Sequence, residues 1–369
     1  MRDQLLVTKP DGPELTSCRS VLQRRTTMIS KNLGQWLRSG HHSKERLQMQ
    51  IGLITDSVGH LPFESALDLA KDQGLSSVEV ATGNWSAAPH ADLPTLVASA
   101  EARAEFAEKI SSRGLTLSAL CANGNQLHPV EGPEHDKVVR NTITLASNLD
   151  VPTVVLMSGL PGARGDSTPN WITTSWPPET LKVLDYQWNE VAIPHWKELA
   201  AFARDNGVRL AIEACGSQLV HNVSTMFRLI EAAGDDVVGA NLDPSHLMWM
   251  GADIPTVIRA LGSAIFHVHA KDIRVQKQNT DRDSLLDTLP IERASDRSWN
   301  YVTLGLGHPR GATFWADFVY TLRSVGYDGT LNIEHEDTLV NSVEGVGRAA
   351  DLLKQIVLVE EPDWKPADI

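Results

Sequence analysis

From Met49 onward the chain alternates short apolar runs with longer amphipathic segments, and it completes that alternation eight times. The apolar runs fall at 51–54, 77–80, 116–121, 153–157, 209–214, 237–242, 265–270 and 330–333. Helical spacing fills the intervals at 63–73, 100–113, 134–149, 186–206, 224–233, 254–261, 314–325 and 342–359. Short β-type runs separated by helix-length segments read as parallel strands joined by crossover helices. Pro62 suits the entry of the first helix. Gly74, Gly114, Gly207, Gly234, Gly262 and Gly326 stand where a helix ends before the next strand, as a left-handed cap requires. Eight such units predict an α/β fold with a single closed (β/α)8 barrel. The competing open, doubly wound sheet usually carries a glycine-rich turn after an early strand, and no GxGxxG follows a strand here.

A chain of 369 residues, 42% hydrophobic and 21% charged, has enough apolar mass to fill such a core. Its net charge of -13 disfavours a general nucleic-acid surface or an anionic membrane, because either would be repelled at long range. No run of eighteen apolar residues is present. Cys18, Cys121 and Cys215 are odd in number and lack CxxC spacing, so a disulfide framework is not expected and a reducing cytoplasm is. Residues 1–48 carry scattered Arg and Lys with poor periodicity and read as a disordered N-terminal extension. The barrel domain is placed at 49–360, and a short tail at 361–369.

Four of the apolar runs end in polar groups. Leu210-Ala211-Ile212 delivers Glu213, Asn241-Leu242 delivers Asp243, Phe266-His267-Val268 delivers His269, and Leu331-Asn332-Ile333 delivers Glu334. Pro244 ends its strand and holds Asp243 extended. In a parallel barrel the ends of different strands converge on one face, and the long loops at 81–93, 122–133, 158–178 and 271–313 follow strands, not helices. Three buried carboxylates and an imidazole at one point call for a cation, and an oxygen-rich set suits manganese, magnesium or cobalt better than structural zinc. Any one of these residues is as well explained by a strand end or a helix cap; four successive strand ends are not. His267 shares a strand face with His269, and Glu336 lies two residues beyond Glu334, so both remain alternatives to the preferred pair.

Weaker candidates surround this set. His128 and His246 read equally as substrate contacts or as loop hydrogen-bonders, with His90, His308 and His335 behind them. Lys271 and Asp272 follow the metal histidine and would bind substrate, support the site or pair within the loop. Trp85, Trp171 and Trp176 lie in post-strand loops, where an indole could stack on the C–H face of a sugar or on an aromatic aglycone. Trp188, Trp196 and Trp315 lie on helices and read as core or oligomer contacts.

The motifs Asn-Leu-Asp-Pro-Ser-His at 241–246, His-Val-His-Ala-Lys-Asp at 267–272 and Ile-Glu-His-Glu-Asp at 333–337 resemble the xylose-isomerase-like sugar isomerase/epimerase superfamily over roughly 50–359. In its loops, Thr82-Gly83-Asn84-Trp85, Gly124-Asn125-Gln126-Leu127-His128-Pro129, Pro169-Asn170-Trp171 and Trp176-Pro177-Pro178, the chain is similar to the large catalytic subunit of bacterial C-glycoside deglycosidases. It departs from them at Cys215-Gly216, where they tend to carry His-Pro. The resemblance implies a TIM barrel, Glu213, Asp243, His269 and Glu334 as metal ligands, His246 and Asn125 among the substrate contacts, and either a small second subunit or a homo-oligomer. A metal held by those ligands implies proton abstraction beside a carbonyl of a keto sugar or 3-oxo-glycoside, with Glu213 and Glu334 working on opposite faces of the substrate and His128 or His246 as an additional donor. Epimerisation, aldose–ketose isomerisation and elimination of an aglycone all share that step. The alternatives are phosphodiester cleavage of the AP-endonuclease kind, which would want a basic groove, and a non-catalytic binding partner, which would be expected to have lost ligands.

Overall fold

The computed structural model describes residues 49–360 and 363–364, so the expected arm and nearly all of the expected tail lie outside the described residues. Strands β1 (Gln50–Ile54), β2 (Ser77–Ala81), β3 (Thr116–Cys121), β4 (Thr153–Met157), β5 (Arg209–Glu213), β6 (Val238–Leu242) and β7 (Ile265–Ala270) pair in parallel and in chain order. Two further strands, β8 (Asp272–Val275) and β9 (Trp299–Val302), form an antiparallel ribbon outside the barrel. β10 (Thr330–Ile333) then pairs with both β7 and β1 and closes the barrel. Among the described residues no helix is long and apolar enough to cross a membrane.

Side chains alternate between the two faces of a strand, and that parity sorts the residues of this barrel. Val78, Val80, Leu120, Val154, Leu156, Leu210, Ile212, Val268, Leu331 and Ile333 belong to the large apolar cluster shared with the helices. The opposite parity supplies a separate small cluster of Ala81, Ala119, Cys121, Val155 and Ala211, and it also supplies the polar residues Glu79, Glu213, Asn241, His267, His269 and Asn332. The barrel interior is thus small and apolar around β3 and β4 and carries its polar groups on β2, β5, β6, β7 and β10. Gly52 lies among these inward positions for a steric reason: a Cβ there would come within 1.9 Å of Asn332 Oδ1.

The predicted helix ends hold at the glycines, since Gly74, Gly114, Gly207, Gly234, Gly262 and Gly326 all have positive φ. One predicted helix is divided. In place of a continuous 186–206 there are a helix at Glu179–Tyr186, a π-helical turn at Gln187–Ala192 and a helix at Ile193–Asp205. Pro194 has no N–H to return to the preceding turn, so the widened turn falls where a regular ladder would lose a bond. Trp188, Trp196 and Trp315 are fully buried in the core. Ordered structure absent from the sequence prediction includes the 271–313 loop, which contains the ribbon and a helix at Lys277–Asp283.

Candidate metal centre

Asp243 shows how the backbone aims the site. Its Oδ1 accepts the Ser245 N–H at 2.8 Å and so caps the helix Pro244–Trp249. The cap uses one oxygen only. Oδ2, fully buried, makes no hydrogen bond and faces Lys271 Nζ at 3.1 Å and His246 Nε2 at 3.3 Å. The helix cap therefore accounts for one oxygen and leaves the other facing the cluster.

Around it, single ligand atoms from Glu213, Asp243, His269 and Glu334 all lie within 4.8 Å of one another. His269 Nδ1 stands 2.9 Å from Glu213 Oε2 and 3.0 Å from Glu334 Oε2. Asn241 donates from Nδ2 to Glu213 Oε2 at 2.8 Å. Lys271 donates to Glu334 Oε1 at 2.7 Å and to Glu336 Oε2 at 3.2 Å. Burial works to raise the Glu213 carboxyl, but the imidazoles of His246 and His269 overcome it and hold the group well below its ordinary value. Glu334 is lowered in the same way, against its burial, chiefly by Lys271 and His269. Burial disfavours charge on His269, yet Glu79, Glu213 and Glu334 push it well above its ordinary value.

This chemistry fits a divalent ion. Glu334 Oε2 and Asp243 Oδ2 are buried without a hydrogen bond, and the Lys271 ammonium, 3.1 Å from Asp243 Oδ2, is a single positive charge against three carboxylates. Three carboxylates with one imidazole form the oxygen-rich set suited to manganese, magnesium or cobalt. Of the two alternatives left open by sequence, His267 turns to Glu79 deeper in the barrel at 2.7 Å, and Glu336 meets Lys271.

Beside the cluster a cleft of about 630 Å³ opens between the post-strand loops, with Trp85, Asn125, His128, Trp171 and Cys215 on its walls. Trp85 is half exposed there, and Trp171 is braced edge-on by Trp249 and His221. The buried Trp171 Nε1 has no hydrogen-bond partner. His128 lines the cleft, and its Nδ1 accepts the N–H groups of Val130 and Glu131 at 3.1 and 3.0 Å, which leaves Nε2 to carry the proton. His246 is the histidine the structure brings to the ligands, with Nε2 3.2 Å from Glu213 Oε1.

Two sequence candidates are placed differently from expectation. Asn125 lines the cleft but spends its amide on loop backbone: Oδ1 accepts from Leu160 N at 2.8 Å and Leu127 N at 3.2 Å, and Nδ2 donates to Leu160 O at 3.0 Å. Trp176 is 74% exposed and is not among the residues lining the cleft, because it stands ahead of Pro177-Pro178 at the head of a surface helix. Sequence reasoning missed Tyr301 and Glu79. Tyr301, on β9, shares a 2.9 Å hydrogen bond with His246 Nδ1 and lies with its ring 4.7 Å from Lys271 Nζ. Glu79, on β2, is the only acid among the apolar residues of its strand, and that oddity was its signal.

The family model described as xylose isomerase-like TIM barrel matches residues 67–356, and the chain belongs to this family. It is 44% identical over 314 residues to the uncharacterized protein YfiH of Bacillus subtilis, covering 84% of this chain and 99% of that protein. An inosose isomerase of Halalkalibacterium halodurans is 26% identical over 181 residues, 48% of this chain and 57% of that protein. Among solved structures, an L-ribulose 3-epimerase superimposes with a TM-score of 0.55 at 17% identity, covering 84% of this chain and 94% of that one, which is a likeness of fold.

Proposed function

We propose that this chain is a divalent-metal-dependent enzyme that removes a proton from the carbon beside a carbonyl of a keto sugar or a 3-oxo-glycoside. The observation that carries this reading is the convergence of Glu213, Asp243, His269 and Glu334 within 4.8 Å at the mouth of the barrel. A cation bound there would polarise a carbonyl and its neighbouring hydroxyl and offset the negative charge left when the proton departs.

The chain's own groups supply the rest. Glu213 and Glu334 reach the centre from strands on opposite sides of β6 and β7, so they could serve the two faces of a substrate as proton acceptor and proton donor. His246, held by Tyr301 and facing Glu213, is placed to hand a proton on. His128 presents Nε2–H to a substrate from the cleft wall, and Trp85 and Trp171 offer flat apolar faces to a sugar ring or an aglycone. A cleft of about 630 Å³ lies within the range of small-molecule sites. The loop resemblance to C-glycoside deglycosidases favours elimination of an aglycone; the named relatives favour isomerisation or epimerisation.

One experiment separates these outcomes. Metal-stripped and manganese-loaded protein are incubated with a 3-oxo-glucoside in deuterated water, and deuterium uptake and aglycone release are followed together by NMR and mass spectrometry. Metal-dependent release that Asp243→Asn abolishes is the expected result for elimination. Deuterium uptake without release assigns epimerisation or isomerisation. If neither occurs on this substrate or on a panel of free ketoses, the proton-abstraction reading fails.

A further inference from the structure

Glu79 is a carboxylate with no solvent contact, deep inside the barrel and on the inward parity of β2. Its Oε2 accepts from His267 Nε2 at 2.7 Å and from Asn332 Nδ2 at 2.8 Å. Those two bonds would satisfy one oxygen of a structural acid. The other oxygen, Oε1, has one partner among the described residues: His269 Nε2 at 3.2 Å, which lies equally 3.2 Å from Oε2. Glu79 therefore straddles the outer nitrogen of the histidine whose inner nitrogen faces the ligand cluster.

A neutral imidazole carries its proton on one nitrogen and its lone pair on the other. With Nε2–H committed to Glu79, Nδ1 is the nitrogen that faces the cluster, 2.9 Å from Glu213 Oε2, 3.0 Å from Glu334 Oε2 and 3.1 Å from Asn241 Nδ2. A cation bound between them would take the place of the hydrogen that these carboxylates otherwise share with Nδ1. Glu79, His267 and His269 could also be read as a second cation site. Their atoms already satisfy one another at hydrogen-bond distance, and Asn332 fills the remaining direction, so the geometry favours an orienting network.

We infer that Glu79 is a positioning residue of the metal centre: its carboxylate fixes His269 as the Nε2–H tautomer and so presents the Nδ1 lone pair to the ion. This inference rests on the proposed metal site. Two neighbours maintain the arrangement. Asn332 holds Glu79 Oε2 from β10, and Gly52, by lacking a Cβ, leaves the space that Asn332 occupies. An acceptor on the far nitrogen also makes the near nitrogen a better ligand, and loss of such partners typically weakens metal binding by about 10- to 100-fold.

The test uses protein labelled with nitrogen-15 in histidine and Zn²⁺ as the probe, with His269 assigned by difference from His269→Gln. In metal-free wild-type protein the His269 Nε2 proton should be retained and slowly exchanging; on titration with Zn²⁺, Nδ1 should shift while Nε2 keeps its proton. Glu79→Gln should bind Zn²⁺ about 10- to 100-fold more weakly by calorimetry, with the Nε2 proton signal displaced. Zn²⁺ on Nε2, or unchanged affinity and signature in Glu79→Gln, would overturn the inference. Should that variant fail to fold, the wild-type spectra decide alone. Absence of Zn²⁺ binding with the Nε2 proton in place would uphold the orientation by Glu79 and overturn the metal reading instead.

Discussion

Asp272 ties the ribbon outside the barrel to the loop that follows it, and replacing it with asparagine gives a stability change that can be worked from distances. Oδ1 accepts from Ile273 N at 2.8 Å and His308 N at 3.0 Å; Oδ2 accepts from Gly305 N at 2.9 Å, Gly307 N at 3.2 Å and Trp315 Nε1 at 3.1 Å. Burial raises the Asp272 carboxyl above its ordinary value, and these donors oppose the rise. Asparagine can keep the three donors at one oxygen, but its amide NH₂ then faces the two donors at the other. Two charge-assisted bonds are lost and two N–H groups are left buried, at roughly 1.5–2 kcal/mol each, so Asp272→Asn should cost ~3–4 kcal/mol. Unfolding entropy near 60 °C is ~2.1 cal/mol/K per residue, which gives ~0.65 kcal/mol/K for a domain of about 310 residues and a fall in the midpoint of ~5–6 °C. Differential scanning calorimetry measures it. Asp272→Ala, which orphans all five donors, should cost more than Asp272→Asn. A midpoint within about 1.5 °C of the parent for Asp272→Asn would show that the loop reorganises freely and that Asp272 does not hold it.

Other groups near the site carry predictions of their own. Lys271 places its ammonium against Asp243, Glu334 and Glu336 and so competes with a divalent ion for the same oxygens; Lys271→Met should tighten Zn²⁺ binding by calorimetry and at the same time lower the melting point of the metal-free protein, and weaker Zn²⁺ binding would contradict this. Trp171→Ala removes an indole braced by Trp249 and His221 from the cleft wall; the loss of one stacking face, about 1–2 kcal/mol, should raise KM roughly 5- to 30-fold with kcat little changed, and an unchanged KM would take Trp171 out of substrate binding. Burial lowers His221 from its ordinary 6.5, against the pull of the Gln218 and Leu219 carbonyls; the unfolded chain then binds the extra proton first, so stability should be constant above about 6.5 and fall as pH drops below it, and denaturant titrations of His221→Gln between pH 7 and 5 should show a shallower fall.

The barrel and the four strand-end side chains that converge at its rim were legible from the sequence for one reason: strand period and strand end are local properties. An apolar run such as 265–270 states its own face, and the residue where the run stops states its own position on the barrel rim. What stayed hidden depends on partners far along the chain. β8 and β9 are four-residue strands separated by twenty-three residues, and neither has a register until the other is in place, so Tyr301 could not be set beside His246 in advance. Asn125 was visible as a polar group in the right loop, but its commitment to Leu160 across the next strand was not. The N-terminal arm lies outside the described residues and remains an expectation.

Glu79 is the instructive case, because its signal was present and ambiguous. A single acid between Val78 and Val80 fits an edge position facing water as well as an interior one, and a pattern of one residue does not choose. Closure of the barrel chooses, since a closed sheet has no edge and both of its faces are buried. Every inward residue of a closed parallel barrel must then find its polar partner among the inward residues of other strands. For an acid on β2 the available donors are those at matching depth, and His267, His269 and Asn332 on β7 and β10 are the ones that reach it. Once eight strands are accepted, an acid of inward parity therefore implies a cationic or N–H partner across the barrel, and His-Val-His on β7 offers both of its imidazoles to that side. The same parity that hid Glu79 from a reading of its own strand connects it to the candidate metal centre when all the strands are read together.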